Sequence, residues 1–212
     1  MRTIVSNPIR SISFLACALC FGSTLALAQD AKVYFGAGFG NDSALPETVN
    51  TVNVVTGVIQ APPSLNSTFG KIGGDVMINK LFGVGAETDF AFSKVNYLGL
   101  TTRPIFYDFN GVYVPFSGRW SRVVPEIQGG IGGVKLNFNY ASCDTIGGCQ
   151  STLVESSSHF QIHVGAAVSF YATKHVFIRP AFDYHWVNNF FQFNSNNVPV
   201  YGASVGYSFS EH

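Results

Sequence analysis

Tyr201-Gly-Ala-Ser-Val-Gly-Tyr-Ser-Phe209 alternates without interruption. In an extended chain Tyr201, Ala203, Val205, Tyr207 and Phe209 fall on one face, and Gly202, Ser204, Gly206 and Ser208 on the other. The first face suits hydrocarbon, and the second is small and polar. Upstream, the same period runs through Phe160, Ile162, Val164, Ala166, Val168 and Phe170, opposed by His159, Gln161, His163, Gly165, Ala167 and Ser169. It returns in Val176, Ile178, Pro180, Phe182, Tyr184 and Trp186 against Arg179, Ala181, Asp183 and His185. No charged residue interrupts an apolar face. The pattern places strands at about 32–39, 67–79, 81–94, 103–114, 120–140, 157–171, 175–189 and 198–209, eight in all.

Composition says which solvent the apolar faces meet. Charged residues make up 11% of the chain, against roughly 25% in an ordinary soluble domain. Aromatic residues make up 15%, and there are 22 glycines. A lipocalin or β-sandwich also has alternating strands, but it points its apolar faces inward and needs a charged exterior, which these few charges do not supply. Within a bilayer, a sequence without long apolar helices satisfies its backbone hydrogen bonds by closing a barrel. The reading is an all-β, eight-stranded, antiparallel, up-and-down transmembrane β-barrel.

The N-terminal end supports export. Arg2 and Arg10 precede an apolar run, Ile12 to Leu27, that closes on Ala26-Leu27-Ala28. This reads as a signal peptide over 1–28, with the barrel at 29–212. Cys17 and Cys20 lie inside the run, in a setting that fits a lipid-attachment box poorly. Without the leader, 10 basic residues face 12 acidic ones, which excludes a basic nucleic-acid-binding surface.

Connection lengths alternate as an outer-membrane barrel requires, with short turns on one side and longer loops on the other. Turns are expected at Asn79-Lys80, Pro115–Arg119 and Ala172–Lys174. Longer connections are expected at 40–66, 95–102, 141–156 and 190–197. With eight strands, both termini then lie on the periplasmic side. Cys143 and Cys149 fall in the expected 141–156 loop, where an exported chain can close a disulfide. No further ligands nearby make them a zinc site.

The segments Phe106-Tyr-Asp-Phe-Asn-Gly111, Val124-Pro-Glu-Ile-Gln-Gly129 and Phe177-Ile-Arg-Pro180, with the alternating last strand closing on Phe209, resemble the outer-membrane β-barrel domain family. That family includes the small opacity-type and outer-membrane-protein-A-type barrels, and the resemblance covers about 29–212. It implies a cell-outer-membrane location, surrounding lipid and the barrel assembly machinery as partners, and recognition of the last strand by that machinery. Here Phe209 is followed by Ser210-Glu211-His212 rather than ending the chain. A peptidoglycan-binding module is not expected, since the barrel accounts for the mature chain. Such a tie points to fold, not to an activity.

The polar faces would gather Lys71, Asp75, Glu87, Asp89, Asp108, Arg122, Glu126, Arg179, Asp183 and His185 in one lumen. Eight strands leave room for side chains and little else, so the group reads as a structural ion-pair network, with a narrow cation path as the alternative. His159, behind Ser156-Ser157-Ser158 and near Glu155, invites a lipid-modifying-enzyme reading. Neighbouring residues alternate faces, so the serine run defines no triad. His159 and His163 are about 13 Å apart along a strand, too far to chelate one ion unaided. No catalytic residue, cofactor or metal is called for.

Tyr107, Phe109, Tyr113, Phe138, Tyr140, Phe170, Tyr184, Trp186, Tyr207 and Phe209 read as interface girdles. Phe190-Phe191-Gln192-Phe193 reads as an exposed external contact patch. The function expected is structural or surface-interacting through the 40–66 and 141–156 connections. A narrow pore and a lipid-modifying enzyme are the alternatives.

Overall fold

The computed structural model describes residues 30–42, 51–52, 59–60, 65–97, 100–116, 122–144, 148–190, 193 and 195–210. The leader expected at 1–28 and most of the 40–66 connection lie outside them. The strands are β1 (Asp30–Gly40), β2 (Thr51–Val52), β3 (Ile59–Gln60), β4 (Ser67–Met77), β5 (Phe82–Ala91), β6 (Val95–Tyr97), β7 (Leu100–Thr102), β8 (Ile105–Tyr113), β9 (Val123–Asp144), β10 (Gly148–Tyr171), β11 (Val176–Val187) and β12 (Asn197–Ser208). Eight of them form the wall. Each pairs antiparallel with its neighbour in the order β1-β4-β5-β8-β9-β10-β11-β12, and β12 returns to β1 through Lys32↔Ser208 to Gly40↔Val200. The result is a closed barrel, so no wall strand is left as an open edge within it.

The alternation of the sequence becomes the two faces of this wall. Phe35, Phe109, Ile131 and Val164 are 67%, 68%, 59% and 54% exposed on the outside. Lys71, Glu126, Arg179 and Asp183 are buried inside. Outer aromatics pair across strands, as in Phe182–Tyr201 at 4.9 Å and Phe82–Tyr113 at 5.1 Å between ring centroids. Phe138 differs from the girdle expectation and is buried. On β9 the even positions Glu126, Gln128, Val134 and Leu136 face inward, and Phe138 follows them.

At the end carrying the termini the β4–β5 and β10–β11 turns are tight. Ile78 and Asn79 amides donate to the Phe82 carbonyl at 2.9 and 3.1 Å, while the Asn79 side-chain oxygen accepts the Leu81 and Phe82 amides. Thr173 Oγ1 accepts the His175 and Val176 amides in the turn before β11. Such side-chain capping by Asn and Thr is what short turns ask for.

The opposite end departs from expectation. Residues 141–156 were expected as a loop, but β9 continues to Asp144 and β10 begins at Gly148, paired throughout. Segments such as Gln150-Ser-Thr-Leu-Val154 favour extended backbone, and pairing with 139–142 is cheaper than an open loop. One irregularity, between Leu153 and Glu155, interrupts the ladder. Beyond Gln161, where β11 stops pairing, β10 adds 13 residues, about 40 Å if straight. The third connection also folds, as the β6–β7 hairpin, and leans on β9 through Thr101↔Asn139 and Thr102↔Phe138.

Candidate functional site

The lumen is layered. At the end with the termini, Met77, Val112, Val114, Val124, Tyr171 and Phe177 pack around Tyr34. Gly206 and Gly73 make room for this layer, because a Cβ at Gly206 would run into the Phe177 ring and one at Gly73 into the Tyr34 ring. At the other end Leu65, Phe69, Phe106, Val134, Leu136, Phe138, Val187, Phe190 and Phe193 form a second apolar layer. Charges fill the space between the two.

The lower tier of charge centres on Glu126. Its carboxylate accepts from Lys32 Nζ at 2.7 Å, Arg179 Nε at 3.1 Å and Ser169 Oγ at 3.2 Å. The Arg179 guanidinium lies over the Tyr34 ring at 4.3 Å, and the Tyr34 hydroxyl donates to Glu87 at 3.0 Å. Asp75 faces the same space, beside Lys32 in the β1–β4 register.

The upper tier centres on Lys71. Its ammonium is held by Glu87, by Asp183 at 2.7 Å and by Asp89 at 3.3 Å. His163 bridges Asp183 and Asn110 through its two ring nitrogens, at 3.2 and 2.9 Å, and stacks on His185 at 4.8 Å. His185 lies 3.7 Å from both Asp89 and Asp108. Gln161 donates to Asp108 at 2.5 Å. These partners come from β1, β4, β5, β8, β9, β10 and β11, so closure of the barrel assembles the network.

Of the residues expected in the lumen, Lys71, Asp75, Glu87, Asp89, Asp108, Glu126, Arg179, Asp183 and His185 are brought together there. Arg122 is not: it is exposed in the turn before β9, where its carbonyl accepts the Tyr171 amide. Parity alone put it inside, but the strand begins one residue later and the guanidinium stays in water. Lys32, Asp30 and His163 also join the network, as their strand parity allows.

Glu87, His163 and Asp183 offer ligand atoms within 4.8 Å of one another, a spacing that could hold a metal ion. The Lys71 ammonium already bridges those two carboxylates, so the cationic position is filled by the chain itself. The expected external patch is also revised, since Phe190 and Phe193 are 1% and 2% exposed. They turn inward as a lid, Phe190 meeting Phe106 and Phe193. Asn189, in the left-handed region at φ 55°, starts this reversal.

Near that lid lies a pair missed in the sequence reading. Ser157 Oγ is 2.7 Å from His159 Nε2, and the His159 ring also hydrogen-bonds the Asn188 backbone. Residues two apart on a strand share a face, which is how Ser157 reaches His159 while Ser158 does not. The backbone of Cys143 stands opposite that of Cys149 in the β9–β10 ladder.

No protein-family model and no curated relative matches the sequence. Among solved structures, neisserial surface protein A is similar over 84% of this chain and 96% of its own, at 15% identity and a TM-score of 0.52. The N-terminal β-barrel domain of Pseudomonas aeruginosa OprF is similar over 86% and 98%, at 9% identity and a TM-score of 0.51. At such identities the likeness is one of fold. With its apolar exterior, polar lumen and seam between first and last strands, this chain has the architecture of the small eight-stranded outer-membrane barrels.

Proposed function

We propose that the chain is a non-conducting barrel of the bacterial outer membrane that works outside the bilayer, as a rigid stem presenting its external hairpins to a partner. Residues 1–28 are the export leader, 29–212 the barrel delivered by the assembly machinery, and both termini are periplasmic. The observation that carries this reading is the sealed lumen: an ion-paired layer between two apolar layers. An ion crossing it would break several buried charge pairs, each costly to separate. The β9–β10 hairpin and the 40–66 connection are then the surface free to make contact. Planar-bilayer recording is the test. Wild-type protein is expected to add no conductance steps to the lipid, and a stable single-channel current would sink the reading.

The Ser157–His159 hydrogen bond favours a second reading, a lipid-modifying enzyme, because a hydroxyl beside an imidazole is the start of an activated nucleophile. Mass analysis of lipid A from cells carrying the wild type or Ser157→Ala separates the two. Identical lipid A supports the stem, and a modification that disappears with Ser157→Ala supports the enzyme.

A further inference from the structure

At the end of the barrel away from the termini, the outer faces of three neighbouring strands close in the same way. Just past the end of β5 the exposed Phe92 is followed two residues on by Lys94. Along β8 the outward series Phe109, Tyr107, Ile105 leads to Arg103. On β9 the exposed Ile131 is followed on the same face by Gly133 and Lys135, and Lys135 stands opposite Ile105. Each face therefore passes from hydrocarbon-compatible residues through aromatics or aliphatics to a cation, the order a strand shows where it leaves a bilayer.

Beside Lys94 and Arg103 is a pocket of about 440 Å³, lined by them and by Thr101, Thr102, Ile105, Asn137 and Asn139. Neither Lys94 nor Arg103 has an ion-pair partner among the described residues. Thr102 is 1% exposed, and its hydroxyl lacks a hydrogen-bond partner in the described structure. The pocket thus offers two cations and the Asn137 side-chain amide, with no carboxylate in its lining, while the Thr101 hydroxyl already donates to the Asn139 carbonyl and the Asn139 amide to the Asn137 carbonyl. Oxygen-rich anions are held by such donor sets. Among the carboxylates whose burial is described, most lie in the lumen and Glu155 is exposed.

We propose that this pocket binds the phosphate of an outer-leaflet lipid headgroup. Height on the barrel selects that source over a soluble anion. Ile105 is two residues, about 7 Å, from Tyr107, which is 41% exposed on the outer face. A phosphate seated on Lys94 and Arg103 leaves its acyl chains lying down the Phe92 and Phe109 faces. The site rests on the membrane reading given above and adds a specific lipid contact to it.

The barrel, reconstituted in phosphatidylcholine nanodiscs containing lipid A, is released and weighed by native mass spectrometry, beside K94Q/R103Q. Heat-modifiable migration first checks that each protein has closed. A barrel that fails to close in lipid refutes the membrane reading itself, separately from the site. The wild type is expected to retain lipid A at about one tenth of the concentration the variant needs, the loss anticipated for charge-assisted contacts. With dephosphorylated lipid A the two should bind alike, and K80Q/R122Q, altered at the opposite end, should match the wild type. Equal retention of lipid A by the wild type and K94Q/R103Q would overturn the site. Displacement of lipid A by millimolar inorganic phosphate would overturn the lipid assignment and make the pocket a free-anion site.

Discussion

Replacing Lys71 by Met takes the ammonium from among Glu87, Asp89 and Asp183, and leaves three carboxylates facing one another in a sealed interior. The Lys71 side chain is 1% exposed, so water does not screen what remains. Removing one partner of a buried pair costs about 3–5 kcal/mol. With three acids losing the one ammonium they share, Lys71→Met belongs at the upper end of that range. For a chain of this size, 1 kcal/mol corresponds to about 2–4 °C in Tm, so the melting of the closed form should fall by roughly 10–20 °C. The assay is the temperature at which the compact band is lost on a denaturing gel, with urea unfolding in the same detergent as a second readout. Lys80→Met, in an exposed turn, is the control and should stay within about 0.5 kcal/mol of the wild type. Adding Asp183→Asn to Lys71→Met should recover part of the loss, because the two sites share one interaction. If Lys71→Met melts within about 2 °C of the wild type, the network does not hold the barrel together and the sealed-lumen argument fails with it.

Further outcomes follow from other parts of the structure. Gly206→Leu should destabilise by about 1–3 kcal/mol, because its first carbon already meets the Phe177 ring, and the same melting assay reads it. Phe190→Ala opens the lid over Phe106 and should cost about 3–5 kcal/mol, with faster hydrogen exchange in Asn197–Val200 as the local sign. Because Cys143 and Cys149 stand opposite each other, the exported protein should block thiol reagents at both until reduced. Labelling of either cysteine before reduction would count against the disulfide.

The wall was legible because hydrocarbon on one side and a narrow lumen on the other force a strict two-residue period. Val205 and Ser204 cannot exchange faces without exposing a hydroxyl to lipid. Strand ends were less legible, since at the rims both faces meet water and the period loses its meaning. Arg122 was assigned inward by parity one residue beyond the ladder. Residues 141–156 look like a loop because they are rich in Ser, Thr and Gly, yet pairing fixes 141–144 and 148–156 as strand. Phe190 and Phe193 carry no two-residue period, and they are buried just beyond the left-handed residue Asn189. The Ser157–His159 contact needed the face-sharing rule applied within a serine run that was read as a whole.

The ion pairs of the lumen also set the order in which the molecule can be made. Lys71 and Asp183 are 112 residues apart, Lys32 and Glu126 are 94 apart, and Ser208 donates to Asp30 across 178. None of these partners meets while the strands form a flat or half-curled sheet. Apart from Lys71, which meets Glu87 and Asp89 within the β4–β5 hairpin, such a sheet would carry unpaired cations and carboxylates on the side that must finally lose its water. Local hairpins therefore gain little until the first and last strands meet, and loop-closure entropy is spent before the long-range contacts repay it. Assembly should then be slow and nearly all-or-none, with a solvated, uncurled intermediate that cannot sink into hydrocarbon until its ends have joined.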